Sequence, residues 1–339
     1  MDDSIQTHVL AGYRPPAGTE PLWCDRRIGN AVVVSLDQRL GCRSQFEVVA
    51  SMTTSWAHMS EIVVGIDDTE ASWGALRWAG RTAQKAKPRV RIVHSLHRFR
   101  LPHAGGRESP SVLESRRLAG RRLLRSGREE LHRFGPSLAV DTIITDEPIA
   151  PYLGSISRTA DLVVIGGKRS GVIRDILFGH KATRILSDAL CPVVVWRPAQ
   201  GFADRTSPVV VGVDDVSSDH AVAGAFWWAE MFHVPLTALH LCSAAPQRVP
   251  IATDSPQSHG GCLEWLHGRV EAQSALHPAV DVHLHCLAAS AEHELRRASA
   301  AASLVVVGSR GLTPLKGSIL GSVGQSLVHS SECPVMVVR

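Results

Sequence analysis

Short, continuous apolar runs rich in Val, Ile and Leu recur along the chain, each separated from the next by a longer helical stretch. Such runs, apolar at every position rather than at alternate ones, suit strands buried on both faces. Residues 61–67 (EIVVGID) open the series and end in Gly-x-Asp. A helical segment carrying Trp78 follows, and strands are expected at Val90 to His94, Val140 to Ile144, Leu162 to Ile165 and Pro192 to Trp196. The order then repeats. Residues 208–214 (PVVVGVD) lead into a helix with Trp227 and Trp228, and strands are expected at Leu236 to His240, Val280 to Leu284, Leu304 to Val307 and Pro334 to Val338.

The repeat is internal homology. Residues 161–166 and 303–308, 176–179 and 318–321, and 191–195 and 333–337 match at a common offset of 142 positions, and the opening strands match at an offset of 147. Ordered landmarks at a fixed period mark duplicated structural units. Strands alternating with helices predict a parallel sheet covered on both faces. The fold class is therefore α/β: two tandem doubly wound domains, each a five-stranded parallel sheet, with ligand sites at the carboxyl ends of the strands. The boundaries read as 59–197 and 207–339. Residues 1–58 have no counterpart in the repeat and are expected to form a poorly ordered extension, with one candidate strand at Ala31 to Leu36.

Composition narrows this picture. The 339 residues suffice for two domains, and the formal net charge of +4 points to neither a nucleic-acid nor a membrane partner. No stretch approaches the roughly 20 apolar residues that a membrane-spanning helix needs. Cys24, Cys42, Cys191, Cys242, Cys262, Cys286 and Cys333 show no C-x-x-C spacing. Scattered, odd in number and partly in apolar runs, they point to a reducing, cytoplasmic compartment.

The chemistry concentrates after the fourth strand of the second copy. Gly308-Ser-Arg-Gly311 is followed by nine residues and then Gly321-Ser322. Glycines let the backbone approach a ligand closely. A helix opening at the second glycine turn aims free N–H groups and its positive dipole end at an anion such as phosphate. Ser322 is expected to cap that helix, and Arg310 offers a charged donor.

This loop, with Val-Gly-Val-Asp214 on the first strand and Cys-Pro-Val-Met-Val on the last, resembles the universal stress protein family over residues 60 to 339. The resemblance implies an adenine nucleotide alpha hydrolase-like fold. In the family's ATP-binding branch the glycine loop holds phosphates and ribose, and the Asp ending the first strand lies near the adenosine. Carried over by position, the implied ligand-binding residues are Gly212, Val213, Asp214, Val307, Gly308, Arg310, Gly311, Gly321, Ser322 and Val323. The implied cofactor is ATP or another adenine nucleotide, accompanied by Mg2+. The first copy departs from the pattern: Gly166 and Gly179 keep their separation, but Arg169 and His180 replace the middle Gly and the Ser. Asp67, Gly166 and Gly179 remain its candidate contacts. The resemblance also implies pairing through the last strand, here as an internal pseudo-dimer of the two copies, with room for a homodimer.

Other constellations read more plainly. Asp67-Asp68 and Asp214-Asp215 are turn residues before they are metal ligands. His283 and His285 share a strand face with no third ligand beside them, so no dedicated metal site is expected. Seven arginines between Arg116 and Arg133 read as a solvated helix face whose stems cover the core edge. The P-loop, dinucleotide and nucleophile-elbow signatures are missing. The expected function is a nucleotide-binding regulatory protein of the stress response, not an enzyme beyond slow ATP hydrolysis. The alternatives are a weak ATPase or other nucleotide-using enzyme, and a nucleotide-free interaction module.

Overall fold

The structure is a computed structural model, and it describes residues 33–35, 56, 58–97, 109–167, 176–197, 206–214, 218–242, 256–309 and 321–339. In the first copy the elements are β2 (Glu61–Gly65), α1 (Glu70–Ala86), β3 (Arg89–Ser95), α2 (Pro110–His132), β4 (Val140–Thr145), α3 (Ile149–Ile156), β5 (Leu162–Gly166), α4 (Ile176–Asp188) and β6 (Val193–Trp196). The second copy follows with β7 (Val209–Val213), α5 (Asp219–Phe232), β8 (Leu236–Cys242), α6 (Pro256–Leu276), β9 (Val282–Ala288), α7 (Ala291–Ser299), β10 (Leu304–Gly308), α8 (Ser322–Ser330) and β11 (Val335–Val338). A short β1 (Val33–Ser35) precedes both copies.

Within each copy all strands are parallel, ordered third, second, first, fourth, fifth. The order reverses between the first and fourth strands, at β2/β5 and β7/β10. There the two crossovers leave on opposite faces and open a crevice beyond the strand ends. The expected doubly wound architecture is thus present in both copies.

The copies share one sheet. β6 and β11 lie side by side and antiparallel, with Val194 opposite Met336 and Val193 opposite Val337. All eleven strands form a continuous sheet from β1 to β4. The core follows this continuity. One buried layer joins α1, α2, α5 and α6 to one face of the sheet through Leu76, Leu131, Phe226 and Leu266. The other joins α3, α4, α7 and α8 to the opposite face through Leu153, Leu186, Leu295 and Leu327. Each layer runs unbroken across both copies, so the halves do not keep separate cores.

An indole cluster closes the junction on the first face. Trp78 of α1 and Trp228 of α5 stack across the copies, centroids 5.0 Å apart and rings 10° from parallel. Trp56, which precedes the first repeat strand, is only 5 % exposed and packs on Trp227 and edge-on to Trp228. It lies against Gly224, where an added Cβ would stand 2.7 Å from its ring. Two pieces of the N-terminal extension therefore belong to the fold: Trp56, and β1, which pairs antiparallel with β9 within the stretch expected to hold a strand. Apart from the exposed His58, the rest of that extension lies outside the described residues.

One strand is displaced from its expected place. The third strand of the second copy runs from Val282 to Ala288 rather than from Val280 to Leu284. Val280 donates its N–H to the His277 carbonyl at 3.1 Å and so belongs to the turn after α6. Pairing with β8 as far as Cys242 carries β9 on to Ala288.

Candidate functional site

In the second copy, β7 delivers Gly212, Val213 and Asp214 to the crevice, and β10 delivers Val307 and Gly308 beside them. Gly212 is small for a packing reason: a Cβ there would come 3.2 Å from Leu295 of α7 and 3.5 Å from Val307. Gly65 in the first copy has the same role beneath Leu153 and Ile165. Asp214 is held in place. The Ser218 hydroxyl accepts its N–H at 2.6 Å and donates to its Oδ1 at 2.8 Å. Ser218 is itself 1 % exposed.

α8 belongs to the crossover from β10 to the parallel β11, so its amino end lies on the carboxyl side of the strands. Gly321 is its N-cap, in extended backbone with φ −61° and ψ 157°, and no side chain caps the helix. This corrects the expectation for Ser322, which stands at the first helical position, exposed, and not at the cap. The first-turn amides of a helix lack intrahelical acceptors and carry the positive end of its dipole. Val323 is half-buried against the core layer under α8. Arg310, Gly311 and Asp215 lie outside the described residues.

The first copy is built differently at the matching points. Gly179 lies inside α4, which starts three residues earlier at Ile176, whereas its counterpart Gly321 opens α8. Gly179 therefore does not head a helix as the repeat led one to expect. Gly166 is a packing glycine: a Cβ would sit 2.5–2.6 Å from the α1 backbone at Ala71 and Ser72. Asp67 accepts the Thr69 hydroxyl at 2.6 Å and the Thr69 N–H at 3.3 Å, and Asp68 takes φ 66°. Together they form the turn that leads into the Thr69 cap of α1. Lys168 and Arg169 lie outside the described residues.

Sequence reasoning passed over a pair of histidines. His94 and His240 lie near the ends of matching strands, and each places Nδ1 2.9 Å from the carbonyl of the residue before the crevice Asp, Ile66 or Val213. A carbonyl only accepts, so Nδ1 carries the proton in both rings. His240 also rests on Trp265, centroids 4.3 Å apart. The signal was present, because both residues fall at the same point of the repeat.

The other candidates stand apart from the crevice. His283 is 3.1 Å from the Asp281 carboxylate, and burial, with the neighbouring His283, lowers His285 to about 4. Burial pushes the Cys191 and Cys333 thiols up to about 12, which keeps them protonated and unreactive. Along α2, Leu124 and Leu131 are buried, and Leu113 is 41 % exposed. Arg121, Arg122 and Arg125 face solvent. Among the described residues no helix is long and apolar enough to cross a membrane.

Comparison with known proteins agrees with this architecture. The universal stress protein family profile matches residues 59–197 and again 206–339. A universal stress protein of Mycolicibacterium smegmatis is 30 % identical over 287 residues, covering 82 % of this chain and 96 % of its own length. One from Mycobacterium tuberculosis is 31 % identical over 285 residues, with the same coverage of both chains. Among solved structures, a universal stress protein from Archaeoglobus fulgidus superposes with a TM-score of 0.65 at 17 % identity, covering 84 % of this chain and 98 % of that one. That last likeness speaks for the fold alone. With the paired family match and relatives aligned along nearly their whole length, the chain belongs to the universal stress protein family.

Proposed function

We propose that the second copy binds an adenine nucleotide, ATP foremost, and that the protein acts in the stress response as a nucleotide-binding regulator and not as an enzyme. The observation that carries this reading is the start of α8 at Gly321, beside the switch point where β7 and β10 end. Phosphates would rest on the first-turn amides of α8 and on the loop from Gly308 through Arg310 and Gly311 to Gly321. The adenosine would lie along Val213 and Asp214. Ser322 at the first helical position offers its hydroxyl to a phosphate oxygen instead of a capping bond. Mg2+ would arrive with the phosphates. Among the described residues no three His, Cys, Asp or Glu side chains stand together to hold a metal unaided. The first copy, with Gly179 inside its helix, would bind weakly or not at all. The antiparallel β6–β11 junction supports an internal pseudo-dimer as the working unit, and the free thiols of Cys191 and Cys333 fit a cytoplasmic location.

Gly321→Asp tests the site. Asp is a better N-cap than Gly, so α8 should hold or gain a few tenths of a kcal/mol. The same carboxylate puts a negative charge where the phosphates would bind. Calorimetric titration should show ATP affinity falling at least tenfold while the melting temperature stays level or rises. Unchanged affinity would remove the phosphates from α8. No ATP binding by the unaltered chain would favour the interaction-module reading.

A further inference from the structure

The repeat extends one residue past each final strand. Arg197 follows β6, and Arg339 follows β11 at the same offset of 142 positions. Because β6 and β11 run antiparallel, with Val195 opposite Val335 and Val193 opposite Val337, each arginine emerges beside the other copy's last helix. Arg197, 4 % exposed, donates from Nε to the Ser331 carbonyl at 2.8 Å and from Nη1 to the Val328 carbonyl at 2.7 Å. Arg339 donates from Nη2 to the Leu186 and Ser187 carbonyls at the end of α4. Each copy thus grips the carboxyl end of its neighbour's last helix, where carbonyls lack intrahelical donors and a cation is favoured.

Arg197 also lies next to the first copy's glycine segment. Gly166 is paired with Trp196, and the Gly167 N–H donates to the Trp196 carbonyl at 2.7 Å. A Cβ on Gly167 would stand 2.7 Å from Val195 Cγ1 and 3.4 Å from Arg197 Cγ. A continuous path of packed and hydrogen-bonded groups therefore runs from Gly166–Gly167 through Arg197 to the carboxyl end of α8. With nine residues, α8 is about two and a half turns long and shifts as a unit. Its other end is Gly321.

We propose that Arg197 is a positioning residue that sets the phosphate-facing end of α8 from the first copy, so that a change at the first copy's glycine segment alters nucleotide affinity in the second. This rests on the nucleotide reading above. Arg339 is the matching grip on α4 and gives the internal control.

The test titrates Mg·ATP into the full chain and into Arg197→Lys, Arg339→Lys and Gly167→Ala, with each variant's melting recorded. Lysine keeps the charge but loses the planar fork that serves two carbonyls at once. Arg197→Lys and Gly167→Ala should each weaken, by fivefold or more, the site that Gly321→Asp weakens. Arg339→Lys should change it less than twofold. Equal effects of the two arginine variants, or none from Arg197→Lys, overturn the proposal. Amide exchange separates this failure from failure of the nucleotide reading. Arg197→Lys should speed exchange at Gln325 to Ser330 and leave α4 unchanged, whether or not ATP binds. Unaltered exchange in α8 overturns the positioning role by itself.

Discussion

Trp56 offers a test of whether the N-terminal extension is part of the fold. It is 5 % exposed and wedged against Gly224 of α5, with Trp227 and Trp228 at centroid distances of 5.9 and 6.5 Å. Truncating a buried Trp to Ala costs about 3–5 kcal/mol, so a loss of at least about 3 is expected. At about 2–4 °C per kcal/mol that lowers the melting temperature by roughly 6–12 °C. Gly224 gives the sharper readout. An added methyl would stand 2.7, 3.0 and 3.4 Å from Trp56 Cζ2, Cε2 and Cη2, so Gly224→Ala should destabilise the full chain. The same change relieves a glycine inside a helix, which is worth up to about 1 kcal/mol. Once Trp56 is removed the clash disappears and only the helix term remains. Gly224→Ala should therefore change sign, harmful in the full chain and stabilising in Trp56→Ala. Urea denaturation of the four proteins in the double-mutant cycle measures this. An equal effect of Gly224→Ala in both backgrounds would refute the packing.

Further expectations concern the junction and the buried histidine. Cysteines introduced at Val194 and Met336, which face each other across β6 and β11 on one side of the sheet, should form an intrachain disulfide. Val194 with Val337 should not, because those side chains enter opposite core layers; efficient bridging of that second pair would mean a shifted register. His285 is lowered to about 4 against an unfolded value near 6.5, so the unfolded chain binds more protons between those values. Stability is then fully present above about pH 6.5 and is lost as pH falls toward 4, by up to about 2 kcal/mol at pH 5. His285→Asn should flatten that slope in denaturation curves taken from pH 7 to 5, and an unchanged slope would assign it to other groups.

Much of this protein was legible because duplication writes the same message twice. The apolar runs at Leu162–Gly166 and Leu304–Gly308 needed no partner to announce buried parallel strands, since only a strand covered on both faces is apolar at every position. The same logic located the glycine loop and the Asp ending each first strand. Where the reading slipped, the course of the local backbone had decided the outcome. Val280 was apolar enough for a strand, but the turn after α6 claimed its N–H. Ser322 had a capping side chain, but the chain enters α8 through an extended Gly321 and leaves the serine one position too late.

The sequence by itself determined the two doubly wound units and the order of their elements along the chain, because these depend on local pattern and on repetition. Tertiary structure decided how the units meet. Antiparallel pairing of β6 with β11 merges two sheets into one and brings Arg197 and Arg339 to helix ends more than 130 positions away in the chain. It also buries Trp56 against α5, from a segment without any counterpart in the repeat. It gives the glycines separate reasons to be small, Gly166 under the α1 backbone and Gly212 under Leu295, while Gly321 heads a helix. Contacts of this kind depend on which surfaces come together in space, and no window along the chain contains both partners.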